Sequence, residues 1–359
     1  MRKVTIKEVA ELSGVSISTV SRVFNNNTSV DPVLAEKVLK VSEHLNYQPS
    51  IAARSIRKGL SNQIAFIVPS IENTYFSTIA SGIINTARDN GQNVIVMLSN
   101  SDKERELSCF KSISRSFIDG IIFASSNGTN PIERFPALKD TPMVVAARRC
   151  LTPGISHVYS DNEAAGYTAT KYLLRLNHKR VAFFANFWGN LVNSYQDFEA
   201  LYHSPAQNAF TAFDRYTGYR RALKEEGIDF DPQLIFYSGY TYEDGYADAQ
   251  KLLASNVEFD SILTPNDRSG AGVLRLLSEQ GFEVPRQVSV IGFNGGQLSD
   301  IANPALTYIQ QDNYQLGLLA AEQLNAVING SPAKDIKIDV TLKIQNSTAS
   351  RKDAERLSP

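Results

Sequence analysis

From position 62 onward, short apolar runs alternate with stretches of helical periodicity almost to the end of the 359-residue chain, and this rhythm restricts the possible folds more than any other feature. Strands are expected at 64–68, 94–98, 120–124, 143–146, 181–185, 234–237, 261–263 and 288–293. Helices are expected at 76–90, 103–117, 164–176, 216–226, 242–254 and 269–280. Apolar runs joined by such helices mean parallel sheets built from βαβ crossovers. The pattern is too long for one comfortable sheet, so the expected body is two doubly wound halves facing a cleft, with ligands beyond the carboxyl ends of the strands. One segment breaks the rhythm. Residues 186–214 contain Phe187, Trp188, Tyr195, Phe198, Tyr202 and His203, and read equally well as a helical or lid-like insertion near the cleft or as a peripheral loop.

The first 45 residues follow a different rule, that of three short helices. Ile6, Val9, Ala10 and Ser13 recur at helical spacing behind Thr5, a good N-cap, and Gly14 supplies a turn. The second helix opens at Ser16 and turns Val20, Val23 and Phe24 inward. The third opens on Asp31 and Pro32, with Leu34, Val38, Val41 and Leu45 expected inside. A small Ala10 where two helices cross, Gly14 four residues on and Val20 six further on make helix-turn-helix spacing. The second helix of such a unit lies in the major groove. Its solvent side offers Ile17, Ser18 and Arg22 to base edges, Arg22 being able to pair bidentately with guanine. Thr5, Ser16, Thr19, Ser21 and Asn25 suit phosphates. A small helical domain with an exposed polar face is the bland alternative.

Charge supports the DNA reading once it is divided. The formal total is −1, but residues 1–60 hold nine Lys and Arg against five Asp and Glu, leaving 27 and 32 for the remainder. A basic head therefore precedes an acidic body. The two cysteines, Cys109 and Cys150, are far apart and form no C-x-x-C, which fits a reducing cytoplasm and supports neither a disulfide framework nor a zinc site. No run approaches 18 apolar residues and no leader pattern opens the chain, so no membrane partner is expected. Enzyme signatures are poor. G-x-x-x-x-G-K and H-E-x-x-H are missing, and S-x-x-K matches such as Ser55 to Lys58 and Ser108 to Lys111 lack companion motifs. No catalytic residues, metal or cofactor are expected.

The segment VTIKEVAELSGVSISTVSRVFNNN, followed by LNYQPSIAARSIRKG, resembles the N-terminus of the LacI/GalR family of bacterial transcription regulators. Matching stretches continue in order: FIVPSIENTYFSTIASGI, FIDGIIFAS, SDNEAAGYTATKYLLRLNHKRVAF, DRYTGYRRALKEEG, ILTPNDRSGAGVLRLL and VSVIGFNGGQLSDIANPALTYIQQD. The resemblance implies a small all-α helix-turn-helix head (1–49), a hinge (50–61), an α/β body of two subdomains of periplasmic-binding-protein type (62–161 plus 310–339, and 162–309 plus 340–350) and a tail (351–359). It adds Tyr47 and the hinge residues Ala53, Arg54 and Ile56 to the DNA contacts. Ile56 stands where the family has a leucine that wedges into the minor groove.

For a small-molecule effector the resemblance implies contacts from Tyr75, Phe76, Arg148, Asp161, Arg215, Tyr240, Asp267 and Asn294. Arg215 and acidic groups would bind hydroxyls, and Tyr240 and Phe76 would cover apolar ring faces. Asn294 departs from the aspartate usual there. The implied function is a homodimeric, ligand-responsive transcriptional regulator, a repressor of palindromic operator DNA controlled by a sugar or sugar derivative. A solute-binding protein without a DNA role is the rival from another class, and it predicts a signal peptide and no basic head. The tail ASRKDAERLSP has a single leucine, so tetramerisation through leucine heptads is not expected.

Overall fold

The computed structural model describes residues 4–24, 30–47, 60–124, 130–149, 154–187, 192–204, 207 and 210–351. The chain divides into two compact units, Met1–Asn62 and Gln63–Pro359.

The first unit holds α1 (Ile6–Ser13), α2 (Ile17–Phe24) and α3 (Pro32–His44). Its helix ends follow local chemistry. Thr5 and Glu8 form a reciprocal capping box on α1, and Gly14, at φ 67°, closes the helix in the left-handed region where glycine carries no Cβ penalty. Asp31 accepts from the amides of Val33 and Leu34 at 2.9 and 3.2 Å at the start of α3. Val9, Ala10, Val20, Val23 and Val38 form the buried centre. Leu34 is not inside, contrary to expectation. It is 41% exposed, and Ala35, Val38, Val41 and Leu45 make the inward stripe instead. So small a head cannot enclose every apolar side chain of its third helix.

The second unit contains two six-stranded sheets. The first comprises β1 (Gln63–Val68), β2 (Asn93–Leu98), β3 (Gly120–Phe123), β4 (Met143–Ala146), β5 (Ser156–Ser160) and β11 (Ile336–Ile338), in the order β11-β5-β4-β3-β1-β2. The second comprises β6 (Val181–Asn186), β7 (Ile235–Ser238), β8 (Ser261–Leu263), β9 (Ser289–Asn294), β10 (Thr307–Gln310) and β12 (Thr341–Lys343), in the order β12-β10-β9-β8-β6-β7. Among the described residues the pairings are parallel except that of β10 with β12. Helices cover both sheets: α4 (Thr74–Asp89), α5 (Lys103–Ile113), α6 (Pro131–Arg134), α7 (Asn162–Arg175), α8 (Tyr195–Tyr202), α9 (Thr211–Glu225), α10 (Tyr242–Ala254), α11 (Asp267–Glu279), α12 (Gln297–Ile301) and α13 (Asn313–Ile328).

Strands β5, β10, β11 and β12 and helix α13 lie outside the sequence expectations. β5 mixes Ser156 and His157 into its run, while β11 and β12 are three residues long and carry a lysine each. The helix α13 follows a strand of the second sheet yet buries Leu316, Ala320 and Leu324 with Ile64 and Phe66 of the first. The chain thus crosses between the halves three times, after β5, after β10 and between β11 and β12. The segment 186–214 contributes α8, capped by Ser194, and its Phe187, Phe198, Phe210 and Phe213 belong to the core of the second half. Trp188 lies outside the described residues.

Helices α7 and α9 cross at a reciprocal glycine contact. A Cβ at Gly166 would lie 2.0 Å from the Arg215 carbonyl oxygen, and one at Gly218 would lie 2.1 Å from that of Glu163. Only glycine permits this approach, which fixes the backbone of Arg215 against the neighbouring helix.

Candidate effector cleft and DNA-reading helix

The carboxyl ends of both sheets meet at one cavity. Asn73, Tyr75, Phe76, Ala147 and Arg148 line it from the first half. Asn186, Thr211, Arg215, Tyr240, Pro265 and Asn294 line it from the second. Asn73 caps α4 by accepting from the Tyr75 amide at 3.0 Å, which sets Tyr75 and Phe76 in the first turn with their rings edge to face at 5.0 Å. Ala147 sits at φ 73°, in the left-handed region, and turns the chain out of β4 so that Arg148 leaves the strand at the cavity wall. The free space is about 40 Å³, enough for a few waters and too little for a hexose.

Arg215 is almost wholly buried. Its Nε donates to Asn162 Oδ1 at 2.9 Å, its Nη1 to the Pro265 carbonyl at 2.7 Å, and its guanidinium lies 4.2 Å from the centre of the Phe293 ring. Burial lowers the Arg215 guanidinium to about 10 and lowers that of Arg148 as well. Burial also pushes the Tyr75 hydroxyl up to about 12, against the opposing field of Arg215 and Arg148, and it raises Tyr240 in the same way. Asn186, at the end of β6, has a buried Nδ2 with no acceptor among the described residues.

Six of the eight residues expected at the effector site line this cavity: Tyr75, Phe76, Arg148, Arg215, Tyr240 and Asn294. Asp161 and Asp267 do not. Asp161 caps α7 through the Ala164 amide at 3.0 Å and pairs with Lys337 at 2.6 Å. Burial works against its ionisation, but the amide and Lys337 hold its carboxyl below the usual range. Asp267 opens α11, and burial pushes its carboxyl up to about 6 despite an amide hydrogen bond from Arg268. The acidic groups expected beside Arg215 at the ligand hydroxyls are therefore not among the described lining residues, and Arg215 itself is held by two neutral oxygens. Asn73, Ala147, Asn186, Thr211 and Pro265 were not singled out by residue type. Asn186 and Pro265 follow from the rule that ligands gather beyond strand carboxyl ends. No group of three or more His, Cys, Asp or Glu among the described residues could hold a metal ion.

In the head, Ser16, Ile17, Ser18 and Arg22 are exposed on α2, while Thr19 and Ser21 are half-buried. The Ser16 hydroxyl lies 2.6 Å from that of Ser18 and accepts from the Thr19 amide at 3.1 Å, so it is occupied in capping. Thr5 is occupied likewise. Tyr47 packs its ring edge to face on Phe24 at 5.7 Å. Asn25, Ala53, Arg54 and Ile56 lie outside the described residues.

Residues 5–50 match the family of bacterial regulatory proteins of the lacI type, and residues 61–346 match periplasmic binding proteins and the sugar binding domain of the LacI family. The chain is 32% identical over 328 residues to catabolite control protein A of Priestia megaterium, covering 91% of this chain and 93% of that protein. It is 30% identical over 325 residues to the HTH-type transcriptional regulator RegA of Clostridium saccharobutylicum, covering 90% and 92%. In fold it is similar to a lac repressor dimer bound to operator and the anti-inducer ONPF, with a TM-score of 0.82 at 22% identity over 97% of this chain and 100% of that one. It is also similar to the transcription regulator CcpA of Lactococcus lactis, with a TM-score of 0.68 at 27% identity over 80% and 98%. Head and body are matched in order along nearly the whole length, and the chain belongs to the LacI family of bacterial transcriptional regulators.

Proposed function

We propose that this regulator is a homodimeric cytoplasmic repressor whose affinity for a palindromic operator is controlled by a small carbohydrate-like effector held between the halves of its body. The observation that carries this reading is a cavity lined from both sheets, with buried Arg215 and half-buried Arg148 among its walls. A ligand that bridges two halves has different contacts when they open, and only such a difference shifts a conformational equilibrium. The edge strand β2 leaves Ile95, Val96 and Leu98 exposed, and α4 leaves Ile84 exposed. Apolar side chains on a sheet edge favour pairing with a second copy. Two-fold symmetry would then give operator symmetry. The match of residues 5–50 to a DNA-binding family disfavours a solute-binding role without DNA.

The reading is tested by selecting operator DNA with the full chain and following its affinity by fluorescence anisotropy across a panel of sugars and sugar derivatives. A ligand that shifts operator affinity supports it. A monomer in sedimentation that binds operator with full affinity would sink the dimer. The exposed Arg22 on α2 is expected to read a base: Arg22→Ala should cost about 1–3 kcal/mol of operator affinity and relax one position of the selected sequence. An unchanged selection profile removes Arg22 from the readout.

A further inference from the structure

The three places where the chain passes between the halves of the body converge on residues 160–162. At the first, β5 ends at Ser160 and α7 begins at Asn162. The third lies against it: the Asp161 amide donates to the Ile338 carbonyl at 2.9 Å, and Lys337 pairs with Asp161 at 2.6 Å. The second, after β10, is joined to the first by a side chain. Gln311 Nε2 donates to Asn162 Oδ1 at 3.1 Å, and the same oxygen accepts from Arg215 Nε at 2.9 Å. Asn162 Nδ2 donates to the Ser160 carbonyl at 3.1 Å, which fixes the way the amide faces. The backbone N–H of Gln311 donates to the Asn294 carbonyl at 3.3 Å. Asn162 and Gln311 are 4% exposed and Arg215 is 6% exposed.

Neither Asn162 nor Gln311 lines the cavity, yet they fasten two residues that do, Arg215 and Asn294, to the crossings. A carbonyl oxygen has two lone pairs, so Asn162 Oδ1 satisfies both of its donors at once. Gln311 Oε1 is buried without a partner among the described residues, so the bond from Nε2 to Asn162 is what offsets burial of this amide. Domain closure is absorbed by a few residues at the ends of elements. Here those residues hold a cavity side chain directly. Resting on the reading that the cavity is the effector site, we propose that Asn162 and Gln311 are positioning residues, a junction at which Arg215 and the pivot of the two halves share one acceptor. A ligand that draws Arg215 toward itself pulls on the pivot, and a turn of the pivot moves Arg215. Each biases the other, as linkage requires.

The test uses the full chain and its selected operator DNA, with no effector added. Gln311→Met is close in volume and removes the donor while leaving the bond between Arg215 and Asn162 in place. It should enlarge the radius of gyration in solution scattering and change operator affinity about fivefold or more. Asn162→Leu should do the same. Asn162→Asp also loses the donor to Ser160 but keeps an acceptor for Arg215 and Gln311, so it should stay nearer the wild type by both measures. Because Arg215 and Gln311 act through one oxygen, Arg215→Met combined with Gln311→Met should change operator affinity by less than the product of the two separate effects. Wild-type scattering and operator affinity in Gln311→Met, even with a lower melting temperature, mark a merely structural amide and overturn the proposal. Equal effects of Asn162→Leu and Asn162→Asp overturn it too, as do independent effects of Arg215→Met and Gln311→Met. A scattering change without any change in operator affinity supports the junction and refutes control of the operator from the cleft. A sugar that alters operator affinity while the variants behave as the wild type upholds that control and refutes the junction.

Discussion

Two buried aspartates of the second half show how position alone sends the same side chain in opposite directions. Burial opposes ionisation of Asp260, yet the His178 ring 3.4 Å away and the amides of Lys179 and Arg180 outweigh it and hold the carboxyl at about 2. Its folded value lies below the unfolded one, so its stabilisation is present above about pH 4 and is lost as pH falls toward 2. Asp267 has less help and is pushed up to about 6. Its folded value exceeds the unfolded one, so its contribution is fully present below about pH 4 and is lost as pH rises through 6. Asp267→Asn keeps an oxygen to accept from the Arg268 amide and removes the charge. It should raise unfolding free energy by on the order of 1–3 kcal/mol at pH 7.5 and by nothing at pH 4, read by urea denaturation at both values. Neither shift is legible from sequence, because each depends on groups brought from distant positions.

At the scale of elements, the helix caps were readable because they are local. Thr5, Gly14, Ser16 and Asp31 each act on backbone groups within a few residues. The reciprocal glycines of α7 and α9 were not readable, since a helical glycine declares no partner. Gly218→Ala would set a Cβ against the Glu163 carbonyl and 2.5 Å from the Tyr167 amide, backbone atoms that cannot swing aside. The helices must separate, at a cost of about 1–3 kcal/mol. Arg215 lies one turn away, so effector affinity should fall in calorimetry while operator affinity without ligand changes little. Loss of operator affinity without any change at the effector site would contradict this link. The helix α8 explains why residues 186–214 resisted assignment: it is eight residues long, and its aromatic side chains serve the core instead of marking a helical period.

Across the body as a whole, three chain crossings join the halves, and side-chain pairs span them. Arg149, after β4, meets Asp214 on α9 at 2.7 Å. Burial raises the Asp214 carboxyl and Arg149 opposes that effect. Opening the cleft to admit a ligand has to lengthen this pair. Both side chains are partly exposed, so the pair is worth about 1 kcal/mol at most. Arg149→Gln should therefore favour the open state modestly, seen as a larger radius of gyration in solution scattering and an effector association rate up to about fivefold higher. Unchanged scattering and association would show that the pair does not hold the halves together.

By itself the sequence determined the three-helix head with its caps, the two parallel sheets and the family, because those depend on local periodicity and on ordered motifs along the chain. It also placed Tyr75, Phe76, Arg148, Arg215, Tyr240 and Asn294 near one another through the carboxyl-end rule and the resemblance. Tertiary structure alone decided that Asp161 and Asp267 stand outside the cavity wall. The reason is physical: a carboxylate's role is set by which cation or amide reaches it, and Lys337 reaches Asp161 across 176 positions of chain.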